Sequence, residues 1–331
     1  MSTGVTASLR GLAIHGKLIW ASGSGGTWLR SADDGKTWTH GVLPGAESQD
    51  FRGVAVLNKK TVLLMSSGLA EKNQAHIYRT TDTGAHWTEV FHGTQPGMFL
   101  DAIKFWDAKH GIVLSDPVNG KFAILLTDDG GKTWREGASD HMPAALPKEG
   151  AFAASNSALA VWGKSEAWFG TGGAGHGRVF HSSDHGRTWT VVDTPVAADT
   201  PASGIFSMLF PSSEGGIAVG GNYEMPSAAS ANVALTYHGP LAWRLAEEPP
   251  ALYLSSVAFQ QRRSNWLIAV GTAGWGYSLD DGHTWMVGGN EGFNAVSVLS
   301  SGYSIAVGGH GRLALLDSDA VIAAYNRSRT R

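Results

Sequence analysis

The chain has 331 residues, with 44 glycines, 13 tryptophans and no cysteine. The lack of cysteine excludes disulfides, thiolate chemistry and cysteine zinc sites. With 25 Lys and Arg against 28 Asp and Glu, the net charge is −3 and no basic patch stands out, which argues against nucleic acid and anionic membrane as partners.

No apolar run approaches the roughly 18 residues of a membrane span. A strand-like pattern begins almost at once, at residues 5–14, with no signal peptide ahead of it. The expectation is an exported protein, periplasmic or secreted, whose targeting segment is absent from this sequence.

Seven short apolar strands follow at intervals, at residues 9–14, 51–56, 100–105, 152–157, 205–210, 255–259 and 293–298. Behind each comes a second strand that ends at a small-residue or glycine-rich bend, then a third. The third runs into a recurring motif, Ser/Thr-x-Asp-x-Gly-x-Thr-Trp. Intact copies start at Ser31, Thr127, Ser182 and Ser278, and the copy at Thr80 differs only in having His86 for the Thr. A worn copy runs from Thr236 to Trp243, with His238 for the Asp and Pro240 for the Gly. Their tryptophans, at 38, 87, 134, 189, 243 and 285, are 42 to 55 residues apart, the period of a solenoid or propeller.

The motif has a mechanical logic. Asp and Ser/Thr side chains bond nearby backbone groups and hold a turn. Glycine supplies a positive φ, and the Trp folds back to bury a large ring. These aspartates therefore read as staples. Four strands per repeat and seven repeats predict an all-β fold, a seven-bladed β-propeller over residues 1–318. A tail at 319–331 follows, with a short helix at 320–325. The seventh repeat supplies only three strands. The stretch Thr3 to Ala7 is expected to pair with its outer edge and so close the ring.

The motif resembles the Asp-box (BNR-like) repeats of sialidases, of xyloglucan-degrading glycosidases and of the photosystem II stability/assembly factor family. The last fits best, as a lone seven-bladed propeller of this length. The sialidase Arg-Ile-Pro segment is absent, and a two-propeller xyloglucanase needs roughly twice the length. The motif specifies fold far better than chemistry.

Ligands of propellers bind where innermost strands and their loops meet the central channel. The starts of the first strands offer Arg10, Arg52, Asp101, Glu149, Ser255 and Asn294 there. The loops from second to third strands offer Asp116, His176, Arg178, Asn222, Tyr223, Glu224, Trp275, His310 and Arg312. Asp116, Glu149 and Glu224, with Tyr223, are the candidate catalytic residues, because carboxylates converging on one mouth can do acid/base work. Arg10, Arg52 and Arg178 can clamp an anion or hydroxyl. Trp275 and Tyr223 can stack on a sugar ring. Asp101, His176, Asn222, Asn294 and His310 complete the ligand-binding candidates. The alternative is that these groups satisfy one another and bound water.

No cofactor or metal is expected. Residues 170–175 spell a dinucleotide fingerprint, but a strand and an Asp box follow it where a helix N-terminus would be needed. The 13 histidines show no ligand spacing on a predicted helix. Insertions at 137–150 and 222–233 lie on the binding face, and the second could act as a lid. Two functions follow. One is a monomeric propeller binding a small polar molecule or glycan, as a glycoside hydrolase- or lyase-type enzyme. The other is a non-enzymatic assembly factor that grips a protein or peptide.

Overall fold

The structure, a computed structural model, describes residues 3–237, 239, 242–260 and 265–316. Seven antiparallel sheets follow in chain order, six of four strands and one, among the described residues, of three. Blade one is β1 (Leu9–His15), β2 (Leu18–Gly23), β3 (Thr27–Ser31) and β4 (Thr39–Val42); blade two is β5 (Phe51–Val56), β6 (Val62–Ser66), β7 (His76–Thr80) and β8 (Thr88–His92). Blade three is β9 (Leu100–Phe105), β10 (Gly111–Val118), β11 (Lys121–Thr127) and β12 (Arg135–Glu136); blade four is β13 (Leu159–Trp162), β14 (Glu166–Gly170), β15 (Gly175–Ser182) and β16 (Thr190–Ala198). Blade five is β17 (Ser203–Leu209), β18 (Gly216–Asn222), β19 (Val233–Thr236) and β20 (Arg244–Leu245). Blade six is β21 (Ser256–Phe259), β22 (Leu267–Gly271), β23 (Gly274–Ser278) and β24 (Met286–Gly289), and blade seven is β25 (Ala295–Val298), β26 (Ser304–Val307) and β27 (Leu313–Leu316).

Each innermost strand touches the next, and β25 returns to β1, so the blades form a closed ring. The second strands are buried on both faces, which explains why β2, β6 and β22 read as unbroken apolar or small-residue runs. Outer strands such as β4 and β8 are half-buried to exposed. The core is a set of clusters between blades. Trp20, Phe51 and Leu64 join blades one and two. Phe122, Phe169 and Trp189 join blades three and four.

The recurring Asp motif forms the turn from third to fourth strand. In blade four, Ser182 Oγ donates to Asp184 Oδ1 at 2.8 Å and accepts from Gly186 N at 2.9 Å. Asp184 in turn accepts from Thr188 N at 2.9 Å and Thr188 Oγ1 at 2.7 Å, and Trp189 Nε1 donates to Gly186 O at 3.0 Å. Gly186 has φ 76°, which a side chain would strain. Trp189 then packs edge-on against Phe169, with centroids 5.0 Å apart. The carboxylate bonds recur at Asp33, Asp82, Asp129 and Asp280, and the Trp bond recurs at Trp38, Trp87 and Trp285 but not at Trp134, whose Nε1 is buried without a partner. In blade two, His86 Nδ1 replaces the Thr hydroxyl on Asp82, at 2.6 Å. Asp184→Ala is expected to lower stability by about 1–2 kcal/mol, the value of two or three such bonds, without altering ligand affinity. Urea denaturation checks the first half, and a titration of the folded variant checks the second.

Three expectations need correction. Residues 3–7 form no strand. Thr3 Oγ1 donates to Gly311 O at 2.7 Å, Gly311 N to Ala7 O at 2.7 Å, and Leu9 N to Gly308 O at 3.0 Å. The segment thus lies across the β26–β27 turn and pins the seam there, and β27 has no fourth strand beside it among the described residues. Second, the innermost strand of blade four is β13, which begins at Leu159, and residues 152–157 precede it as irregular chain. Third, several strand limits move by a few residues, most at β17 and β25. The tail and its short helix lie outside the described residues, as do His238 and Pro240 of the worn repeat.

The irregular stretch before β13 plugs the channel. Asn156 Oδ1 accepts from Ile103 N of blade three at 2.8 Å, while its Nδ2 donates to Val54 O of blade two at 3.0 Å. Ser155 Oγ donates to Ser255 O beside blade six at 2.6 Å, and Ser157 Oγ to Ser207 Oγ of blade five at 2.8 Å. Backbone donors and acceptors of inner strands that face a channel need partners. Here one segment supplies them across the axis, so the channel has a floor.

Candidate functional site

A cavity of about 370 Å³ opens above that floor. Its wall is set by a repeated irregularity. In blade one, Leu9 pairs with Gly23 and Gly11 with Ser22, leaving Arg10 as an extra, bulged residue. The same slip leaves Arg52 between Phe51 and Gly53, and Phe206 between Ile205 and Ser207. In blade three it leaves Asp101 between Leu100 and Ala102, and on β10 it leaves Asp116 between Ser115 and Pro117. A bulge bends its strand and re-aims one side chain. The residue before each first-strand bulge, Leu9, Phe51, Leu100 or Ile205, is fully buried and anchors it, and the bulged side chains line the cavity. Glycine permits the tight inner packing: a Cβ on Gly11 would stand 2.2 Å from Ser22 Oγ, and one on Gly53 2.9 Å from Ile103 Cγ2.

Around the axis the wall is therefore cationic at Arg10 and Arg52, acidic at Asp101 and Asp116, floored by Ala151, Phe152, Ala153 and Ala154, and aromatic at Phe206, Tyr223 and Tyr253. Phe152 stacks on Phe206, centroids 3.8 Å apart, and Tyr253 meets Phe206 edge-on at 4.8 Å. Arg52 Nε donates to Asp50 Oδ2 at 2.7 Å. Arg10 has no ion pair among the described residues; its one hydrogen bond is a long one, 3.5 Å from Nη1 to Ala154 O. Burial, then the charge of Arg52, pulls the Arg10 guanidinium below its ordinary pKa.

The carboxylates are perturbed the other way. Asp101 is fully buried, and neither of its oxygens has a hydrogen-bond partner. The nearby Asp116 amide is committed to Phe99 O at 3.0 Å. Burial first, and Asp116 second, raise Asp101 well above the usual carboxylate range. Burial also lifts Asp116 to about 6, although Ala151 N donates to its Oδ1 at 2.9 Å. A carboxyl with a raised pKa in the folded state binds protons there more tightly than in the unfolded chain. Its contribution is fully favourable below about pH 4 and is lost as pH rises through about 6. Asp116→Asn is therefore expected to stabilise the protein at pH 7.5, by up to about 3 kcal/mol, with the gain vanishing below about pH 4. Paired denaturation curves at the two pH values check it.

The remaining predicted residues lie elsewhere. Glu149 and Arg178 do not face the cavity. They pair with each other in the interior, Arg178 Nη2 on Glu149 Oε2 and Nε on Oε1 at 2.9 Å. Thr171 Oγ1 and Leu146 N complete the carboxylate at 2.6 and 2.8 Å. The pair ties the 137–150 insertion to β15. Glu224 and Asn222 sit on the rim, with Glu224 N donating to Asn222 Oδ1 at 2.9 Å. His176 faces Asp193 at 3.1 Å across β15 and β16. Trp275 is buried in blade six against Phe293 and Val296, with no face free for a sugar. Asn294 Nδ2 donates to Leu9 O at 2.9 Å, and His310 occupies a left-handed turn, so both serve the seam between blades seven and one. Ser255 Oγ donates to Asn294 O at 2.7 Å, and Arg312 Nη1 to Gly292 O at 2.9 Å. Within the 170–175 glycine run, Gly172 bridges both Gly150 and Gly204, and a Cβ there would meet Ser203 O at 2.2 Å. Those glycines let three backbone segments meet.

Sequence reasoning missed Phe206, Tyr253 and Phe152. A second cavity, about 180 Å³ between blades three and four beside Phe122, Met142 and Trp189, contains no predicted site residue. No helix among the described residues is long and apolar enough to cross a membrane.

No family model matches this chain, and no curated protein matches it in sequence. Solved structures do match. YCF48 bound to D1 peptide is 16% identical with TM-score 0.66, covering 95% of this chain and 94% of that one. YCF48 from Cyanidioschyzon merolae is 15% identical with TM-score 0.65, covering 95% and 97%. The GH74 enzyme of Niastella koreensis is 14% identical with TM-score 0.62, and its match covers 94% of this chain but 52% of that one, so this chain spans about half of it. At such identities the likeness is one of fold, and the fold is a seven-bladed β-propeller.

Proposed function

We propose that this chain is a non-enzymatic binding propeller of the Asp-box type that grips a peptide segment bearing an anionic group in its central pocket. The carrying observation is Arg10, a bulged guanidinium without an ion pair, aimed into a floored cavity beside an aromatic wall. A carboxylate on the ligand would supply the missing partner in a site where such a bond is worth more than in water. The Phe206, Tyr223 and Tyr253 surface would take an apolar side chain. Asp116 would accept from a ligand amide or amine. Support also comes from the YCF48 match, which covers both chains almost fully and whose structure holds a peptide.

A second reading, a small polar molecule or glycan with Asp116 as proton donor, is favoured by the pKa of about 6 at that carboxyl. Parallel selections separate the two. The protein is panned against a random peptide library and against an oligosaccharide array, and each hit is competed with free acetate. The proposal expects peptide hits that acetate weakens and no glycan hits. Glycan hits alone would replace it with the second reading.

A further inference from the structure

We infer that blade two carries a binding site for a divalent transition ion of the Zn²⁺ type, formed by His76, Glu89 and His92. His76 opens β7 and His92 closes β8, and the two are direct cross-strand partners. Their rings lie parallel within 24°, centroids 4.6 Å apart. The nearest ring nitrogens and carboxylate oxygen of the three residues all lie within 4.8 Å of one another.

The decisive feature is the hydrogen bonding of His76. Its Nε2 stands 2.9 Å from Asn73 O, and its Nδ1 stands 3.1 Å from Glu89 Oε2. Both neighbours can only accept, whereas a neutral imidazole has one N–H. If Nε2 donates to the carbonyl, the Nδ1 lone pair points at a carboxylate. A cation between Nδ1 and Oε2 resolves the conflict. Ligands at Zn–N and Zn–O bond lengths around a tetrahedral centre stand about 3.3 Å apart, close to the separation seen.

The surroundings suit this role. A metal-bound histidine typically donates its other N–H to a carbonyl or carboxylate, which fixes the ring. Asn73 O does so here, and it is itself held by Gln49 Nε2 at 2.9 Å. Asn73 adopts a left-handed conformation, φ 58°, which turns that carbonyl toward the ring. Ser66 Oγ accepts from His76 N at 2.9 Å and secures the backbone. His76 is buried, while Glu89 and His92 are exposed, so an ion could enter without disturbing the core. Three protein ligands leave a fourth position facing solvent. The ligand end of this hairpin lies on the same face as the central pocket, where a bound partner could complete the shell.

The test uses full-length, tag-free, chelator-treated protein titrated with ZnCl₂ at pH 7.5. The inference expects one equivalent bound well above any weaker background, with affinity falling at least tenfold in both His92→Ala and Glu89→Gln. Substituting Co²⁺ should give visible d–d absorption in wild type that both variants lose. Because both residues are exposed, circular dichroism and Tm of the metal-free variants should match wild type. Absence of a tight equivalent, or one undiminished in either variant, would overturn it and leave the three residues as a hydrogen-bonded cluster only.

Discussion

Glu149→Ala is expected to destabilise the protein by about 3–5 kcal/mol, the usual result of removing one member of a buried ion pair. The Glu149 side chain is fully buried and that of Arg178 is 8% exposed. Removing the carboxylate strands the guanidinium in the interior, where charge is poorly solvated. It also deprives Thr171 Oγ1 and Leu146 N of their acceptor. The double replacement Glu149→Leu with Arg178→Met should recover much of the loss, since no lone charge remains. Variants that still fold should bind ligand normally, because neither side chain reaches the cavity. Urea denaturation of the single and double variants gives the energies. A single variant as stable as wild type would return Glu149 to the list of free acids.

Asn156→Ala should cost about 2–5 kcal/mol, because it removes an acceptor from Ile103 N and a donor to Val54 O at once, both buried. Asn156 has φ 64°, a region that Asn tolerates better than Ala. Asn156→Gly relieves that strain and loses the same bonds, so the difference between the two variants isolates the backbone term. The floor should loosen in both, and ligand affinity should fall with stability. A glycine variant that is as stable as wild type would mean that water can replace the plug.

The repeat and blade order could be read from sequence because both are local. Each turn is specified by five residues within eight positions, and each Trp reports a blade. The ring of first-strand residues was also legible in part. Arg10, Arg52 and Asp101 follow a large apolar residue at the same place in successive repeats. Phe206 occupies that place in blade five, but as an apolar residue it carries no polar signal in the sequence. Tyr253 lies before Leu254, the buried residue that plays the anchoring part in blade six. Glu149 lies away from the mouth because blade four begins its innermost strand at Leu159, and nothing local marks residues 152–157 as a plug. Their conformation rests on bonds to residues 50 to 144 positions away. The burial of Trp275 is hidden in the sequence for a related reason. Its ring lies over Gly288, where a Cβ would stand 2.1 Å from it, and cross-strand room of that kind is invisible in a single segment. The His76–His92 pair likewise arises only once β7 and β8 are in register.

The most direct test of the central claim is the dissociation constant of one selected peptide for wild type, Arg10→Ala, Phe206→Ala and Glu224→Ala. The first two side chains line the floored pocket, and the third stands outside it on the rim. Affinity is expected to fall at least tenfold for Arg10→Ala and for Phe206→Ala, about 1.4 kcal/mol or more in each case, and to stay within twofold for Glu224→Ala. Unchanged binding by Arg10→Ala and Phe206→Ala would show that the peptide docks elsewhere and would contradict the account.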